Sequence, residues 1–307
     1  MIIFLLSLFY YSFYLLFPLL LFLIWRLYSI KKFSIEIVIL FLIVLVLIWS
    51  RFIEPNRIII KDYDLIQNET GNDLKIAVAS DLHLGVYRDK AFLKKVIKKI
   101  ELTNPDIVIL PGDFRYQINP KKLDYFFSEL KRIKVPKFAV LGNHDYGKGD
   151  DNISKEINAT LASQGVLVLN NQIRVLEIND TLIRVIGLED IWTGLPDFSI
   201  LKDNSDLNYD LNLLIAHNPD TIYEVQEYCL EEGPCLSVDL MVSGHTHAGQ
   251  IRIPGLYKYI IPSKYNFDRG FYHLFSSDIF VSPGLGNVVL PLRLFNPPEI
   301  SVINLKY

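Results

Sequence analysis

The sequence predicts a mixed α/β body of two sheets covered by helices, carried behind a helical hairpin in a membrane. Three observations lead there. Met1 to Trp25 carries no charged side chain, and a second apolar run, about Ile35 to Trp49, ends at Arg51. Beyond about residue 52, short apolar runs rich in β-branched residues alternate with amphipathic stretches. Later in the chain strand-like runs dominate.

The first apolar run is long enough to cross a bilayer core, which takes roughly 20 helical residues. A polar break, Arg26 to Lys32, separates it from the second. No basic residue precedes the first run and no small-residue cleavage site follows it, so it reads as a permanent anchor and not a signal peptide. The second run is shorter and begins near Glu36, so an interfacial position is the alternative. The division expected is a membrane anchor over 1–51 and a catalytic domain over 52–307, in a multi-pass protein of the cell's inner membrane. Arg26, Lys31 and Lys32 in the hairpin loop balance Arg51, Arg57 and Lys61 at its exit, so the positive-inside rule selects neither face for the body.

Within the body, Leu74–Ser80 reads as a buried strand. Lys90–Leu102 places Phe92, Leu93, Val96, Ile97 and Ile100 at helical spacing. Asp106–Asp113 is a second strand, Lys121 to Lys131 a helix, Lys137–Asp145 a third strand and Ser154 to Ser163 a helix. Two β-branched runs follow, joined by Asn179-Asp180, which signals a hairpin. Leu211–Asp220 is another strand, Tyr223–Glu231 a short helix, and strands recur before His245, at Ile279–Val281 and at Glu299–Leu305. Tyr257 to Arg269, rich in Tyr, Lys and Pro, is either a solvated loop or a flap over a site.

Charge narrows the function. The chain is net −3, and its first 50 residues are net +2, so the body is net −5. An acidic body argues against nucleic acid as a partner, and bound divalent cations would offset part of that charge. Cys229 and Cys235 read as two unrelated thiols, or as a small disulfide loop if the compartment is oxidising.

The chemistry-bearing residues gather at strand ends. Asp81-Leu82-His83, Gly112-Asp113, Gly142-Asn143-His144-Asp145, His217-Asn218 and Gly244-His245-Thr246-His247 each close a strand-like run. Five of the six histidines fall in these places; the sixth, His273, reads as structural. Singly, each has a plainer reading: Asp81 and Asp113 as turn or cap residues, Asn143 as a turn residue, His217 as a core histidine. Jointly, carboxylate, imidazole and amide without thiol make a metal site suited to Mn, Fe, Zn or Co. Residues i and i+2 of a strand point the same way, so Asp81 with His83, and His245 with His247, are expected to reach one centre as pairs.

These blocks, in this order, resemble the calcineurin-like metallophosphoesterases over about residues 74 to 305. The resemblance implies a four-layer α/β/β/α sandwich with two divalent metals at the sheet edges. It assigns Asp81, His83, Asp113 and His247 to one metal, and Asp113, Asn143, His217 and His245 to the other, with Asp113 bridging. His144 would face the substrate as the catalytic residue, stabilising developing charge or protonating the leaving group while activated water attacks phosphorus. Asp145 would orient His144 or cap the following segment. One departure stands out: Tyr116 occupies the place of a second aspartate found in the Ser/Thr protein phosphatases, which argues against a phosphoprotein substrate. Arg115 could touch a phosphate or make a surface salt bridge.

"GHTHAGQIRIPG" and "PLRLFNPPEI" are similar to the bacterial membrane-associated branch of that superfamily, which includes phosphodiesterases and enzymes that split UDP-2,3-diacylglucosamine in lipid A biosynthesis. The implied partners are the lipid bilayer and a phosphoester or lipid-linked nucleotide. The competing class is a membrane receptor or scaffold that keeps the fold without turnover.

Overall fold

The computed structural model describes residues 2–29, 34–67, 71–147, 152–202 and 209–307. Lys31 and Lys32, counted above for the hairpin loop, lie outside the described residues.

The N-terminal stretch is helical: α1 (Ile2–Ser12), a 3-10 turn over Phe13–Leu15, α2 (Leu16–Ser29) and α3 (Ile35–Ile48), which runs on through a wider turn to Ile53. Pro18 has no N–H for a bond one turn back, which accounts for the tightened turn just before it. With no Pro or Gly at the start of the polar break, the helix runs through Arg26 to Ser29. Ile3–Ser29 and Ile35–Asn56 are both long and apolar enough to cross a membrane.

The body holds two six-stranded sheets. The strands in chain order are β1 (Ile59–Ile66), β2 (Asp73–Val78), β3 (Leu84–Gly85), β4 (Ile107–Pro111), β5 (Arg115–Tyr116), β6 (Lys137–Val140), β7 (Leu167–Val168), β8 (Gln172–Ile178), β9 (Thr181–Gly187), β10 (Leu211–Ile215), β11 (Leu240–Ser243), β12 (Gly270–Leu274), β13 (Ser277–Val281) and β14 (Glu299–Lys306). The first sheet has the order β1-β14-β2-β4-β6-β7 and the second β12-β13-β11-β10-β9-β8. Their facing sides share one core, with Ile76, Val78, Ile109 and Val140 against Leu213, Val242 and Phe280. The outer face of the first sheet packs on α4 (Lys90–Thr103), α5 (Leu123–Phe127) and α7 (Ser154–Ser163). The outer face of the second packs on α8 (Thr221–Glu232). This is the four-layer α/β/β/α order expected.

Three expectations shift. Lys121 to Lys131 is not one helix but α5 between two 3-10 turns, the first led by Pro120. The third strand ends at Val140, and Asn143–Tyr146 forms a single helical turn, α6. The hairpin expected at Asn179-Asp180 is present as β8–β9, with both residues at positive φ, as a tight two-residue connection requires. Cys229 and Cys235 are not unrelated thiols: they form a disulfide at the end of α8.

The strands β2, β4, β6, β10 and β11 end at Val78, Pro111, Val140, Ile215 and Ser243. Every motif block begins just beyond one of these carboxyl ends, where α/β folds place their ligands.

Candidate metal centre

The geometry that brings the ligand-type residues together is not the strand alternation expected. Asp81, His83, Asp113, His245 and His247 all lie past the strand ends, and all adopt positive φ, from 43° to 70°. Such conformations cost of order 1–3 kcal/mol each and persist only where surrounding structure enforces them. Here the loops hold one another. Asp81 N donates to Gly112 O, His83 N to Asp113 O and Gly286 N to Asp81 O. The loops therefore approach closely, and glycine is required at the contact. A Cβ on Gly244 would lie 1.8 Å from Ser80 Oγ and 2.5 Å from Asp81 Oδ2. Gly244→Ala is accordingly expected to cut metal affinity at least about tenfold; metal titration by calorimetry on purified protein checks it.

Two adjoining clusters result. In the first, Asp81, His83, Asp113 and His247 offer ligand atoms that all lie within 4.8 Å of one another, and all four are buried. His83 Nε2 faces His247 Nε2 at 2.9 Å, Asp113 Oδ2 lies 3.4 Å from His83 Nε2, and Asp81 Oδ1 lies 3.4 Å from His247 Nε2. In the second, Asp113 Oδ2 is 3.3 Å from His217 Nε2, His245 Nδ1 is 3.2 Å from the same nitrogen, and Asn143 Oδ1 is 3.1 Å from His245 Nδ1. Asp113 thus belongs to both. The sequence-assigned residues are all here.

The electrostatics are those of a site short of positive charge. Burial pushes the His83 and His245 imidazoles down to about 3 and His247 well below its ordinary value, so these rings are neutral and their lone pairs free. Burial pushes Asp81 up to about 7. His217 goes the other way: burial would lower it, but the Asp113 carboxylate outweighs burial and raises it well above the ordinary value. A proton on His217 is there a substitute for a cation. Two pairs of imidazole nitrogens facing each other, His83 Nε2 with His247 Nε2 at 2.9 Å and His217 Nε2 with His245 Nδ1 at 3.2 Å, fit a pair of metal ions.

His144 is the second residue of α6, beside the clusters. Its ring stands edge-on to His83 at 5.0 Å and to Tyr116 at 5.6 Å, and its N–H donates to Asp113 Oδ1 at 2.9 Å. Tyr116 therefore gives His144 an aromatic wall where a phosphoprotein phosphatase would place a carboxylate. Asp145 does not touch His144. Its carboxylate accepts from Gly142 N at 2.9 Å, Phe114 N at 2.9 Å and Arg115 N at 3.2 Å, tying the loop after β4 to the start of α6. Of the two roles open to it, capping is the one observed. Asp145→Ala strands three buried amides and is expected to cost about 2–4 kcal/mol of stability, read as a lower denaturant midpoint. Arg115 is buried, and its carbonyl lies 3.4 Å from His83 Nδ1. His273 is at the surface with Asp278 at 2.9 Å, structural as expected.

Trp192 carries no sequence signal of its own, and Arg293 and Asn296 lie in PLRLFNPPEI without a site role marked there. Trp192 stands edge-on to His245 at 4.3 Å, placed by Asp190, which accepts from Trp192 N and Thr193 N. Arg293, fully buried, lies 3.4 Å from His247 Nδ1, and Asn296 Nδ2 donates to His247 O at 2.7 Å. The backbone of this same loop is bound to the hairpin's end: Arg293 N donates to Ser50 O at 2.9 Å and Asn296 N to Glu54 Oε1.

The sequence profile of the calcineurin-like phosphoesterases matches residues 74–249, which spans all five motif blocks. The chain belongs to that family. This calcineurin-like phosphoesterase is a hydrolase with a site for divalent metal. It is 31% identical to an uncharacterized metallophosphoesterase of Bacillus subtilis, YkuE, over 84% of this chain and 89% of that protein. It is 28% identical to the UDP-2,3-diacylglucosamine pyrophosphatase LpxG of Chlamydia trachomatis, over 86% of this chain and 94% of that protein. It is 29% identical to the phosphodiesterase YaeI of Escherichia coli, over 75% and 82%.

Proposed function

We propose that the protein is a membrane-anchored phosphoesterase, with its anchor over 1–51 and its catalytic domain over 52–307, that hydrolyses a phosphodiester or pyrophosphate carrying an apolar group. The observation that carries this is the cavity beside the metal centre. It has a volume of about 420 Å³ and runs from Asp113, Asn143, His144 and His245 to a wall that includes Trp192, Ile251, Ile260, Val288 and Leu290. A phosphoryl group at its polar end leaves an acyl chain in contact with its apolar end. Ile260 belongs to the Tyr257 to Arg269 excursion, which supports the flap role for that segment over the solvated loop.

Asp81, His83, Asp113 and His247 would hold one divalent ion, and Asp113, Asn143, His217 and His245 the other, manganese being the best candidate. When bound, such a pair lowers the pKa of a shared water and draws charge from the phosphoryl oxygens. The chain's own residues do the rest. Neutral His83, His245 and His247 supply lone pairs without bringing protons. Asp113 holds the two clusters in register. His144, on the open side, meets the leaving oxygen and donates to it or stabilises its charge.

The best candidate substrate is UDP-2,3-diacylglucosamine, supported by similarity to the chlamydial pyrophosphatase. Phosphorus NMR of purified, manganese-loaded protein tests it. UMP and the lipid monophosphate should appear and vanish with chelator; if neither forms, this substrate is discarded. The Cys229–Cys235 disulfide favours a second assignment, an envelope phosphodiesterase, since such bonds persist in oxidising compartments. Turnover of an aryl phosphodiester without turnover of the nucleotide lipid would select it. Metal-loaded protein that hydrolyses neither would leave the scaffold role.

A further inference from the structure

A second cavity, of about 450 Å³, lies where the hairpin meets the body. Tyr87 stands between it and the catalytic cavity: it lines the former, and its hydroxyl donates at 2.9 Å to the carbonyl of Val289, which lines the latter. Three separate parts of the chain build it: Tyr10 from α1, Arg51 from the turn that ends the second apolar helix, and Arg88, Asp89, Ala91 and Lys95 around the start of α4.

Arg51 and Arg88 are each more than nine-tenths buried, with 5% and 7% of their surface exposed. Each has an Nε with no hydrogen-bond partner. Their remaining contacts fix them without neutralising them. The Arg51 guanidinium sits over the Tyr10 ring at 3.8 Å and the Phe52 ring at 4.8 Å, with Nη2 3.5 Å from Tyr10 O. Arg88 donates to Asn56 Oδ1 at 3.2 Å and to Pro55 O, and lies over the Phe92 ring at 4.2 Å. Lys95 adds a third cation at the rim. The one carboxylate on the lining, Asp89, is taken up by capping α4, accepting from Phe92 N at 2.9 Å. Burial, with Arg293 and Arg51 as neighbouring cations, pushes Arg88 down to about 9.

Desolvated guanidinium groups with free N–H donors are costly unless an anion meets them, and the planar guanidinium fork matches the oxygens of phosphate and carboxylate. Position supplies the source. Arg51 follows the apolar stretch of α3 directly, among Tyr10, Tyr14, Trp49 and Phe52, the aromatic residues that mark the level where hydrocarbon gives way to headgroups. We propose that this cavity is a phosphate-binding site at the membrane surface, occupied by the phosphodiester headgroup of an anionic phospholipid. It stands on the hairpin lying in a bilayer, and not on the identity of the catalytic substrate.

The full chain, purified in neutral detergent, is titrated with phosphatidylglycerol and with phosphatidylcholine and read by native mass spectrometry. Phosphatidylglycerol should be retained about fivefold more than phosphatidylcholine, the effect of roughly one basic side chain at a membrane surface. Ala91→Glu puts a carboxylate on the lining at an exposed first-turn position where helices accept one; it should abolish the preference and leave turnover of an aryl phosphodiester in detergent unchanged. Lys94→Gln, the same change in charge on the same helix but off the lining, should keep it. Inorganic phosphate that displaces the lipid in the millimolar range would keep the site and make its ligand the free anion as well as the lipid. Equal retention of both lipids with no effect of phosphate, or a preference that survives Ala91→Glu, overturns the proposal, whatever the catalytic substrate proves to be.

Discussion

Asp113→Asn is expected to lower phosphoester turnover on the order of 10³-fold or more, about 4 kcal/mol of barrier. The reason is geometric. Asp113 Oδ2 lies 3.4 Å from His83 Nε2 and 3.3 Å from His217 Nε2, so one oxygen faces both clusters. The carboxamide is nearly isosteric but uncharged, and it would present either an N–H₂ or a weaker oxygen to that position. Metal analysis should fall from about two ions per chain to one or fewer, while circular dichroism keeps the wild-type spectrum. Full metal content with turnover within about threefold of wild type would remove Asp113 from the bridging role.

His144→Ala is expected to cost about 10²–10⁴-fold in kcat, the range for a general acid or a charge-stabilising donor. Metal content should not change, because His144 lies outside the two ligand clusters and meets them through ring edges and one backbone N–H, which alanine keeps. The readout that separates leaving-group protonation from ground-state binding is the leaving group itself. With p-nitrophenolate, which departs without a proton, the loss should shrink relative to an alkyl phosphodiester. An equal loss on both substrates would argue for charge stabilisation instead, and loss of metal would argue for a ligand role.

The layered fold and the ligand set were legible because both leave local marks. Apolar runs such as Leu211–Ile215 can only be buried strands in this context, and a turn such as Gly244-His245-Thr246-His247 places two imidazoles where no packing need explains them. What failed was the route by which the ligands converge. Strand alternation explained the His-x-His and Asp-x-His spacings neatly, yet β11 stops at Ser243 and β2 at Val78. The pairs are set by left-handed backbone conformations, which non-glycine residues seldom adopt and spacing does not announce. The site roles of Trp192, and of Arg293 and Asn296 within the quoted PLRLFNPPEI, were illegible for another reason: each acts through a partner at least 46 residues away in sequence. β1 was missed because its charged side chains, Lys61, Asp62 and Asp64, disguise an edge strand.

The place of β14 bears on how the molecule is made. That strand lies between β1 and β2, parallel to the first and antiparallel to the second, with Ile59 opposite Glu299 and Ile66 opposite Lys306. The first sheet therefore lacks an inner strand until nearly the whole chain has left the ribosome. Both apolar helices emerge long before that, so if they form the proposed anchor, insertion would precede folding and the body would fold as a tethered chain. Contacts spanning some 240 positions are slow to close. In the interval β1 and β2 present unpaired edges side by side, the condition under which holding chaperones are most needed.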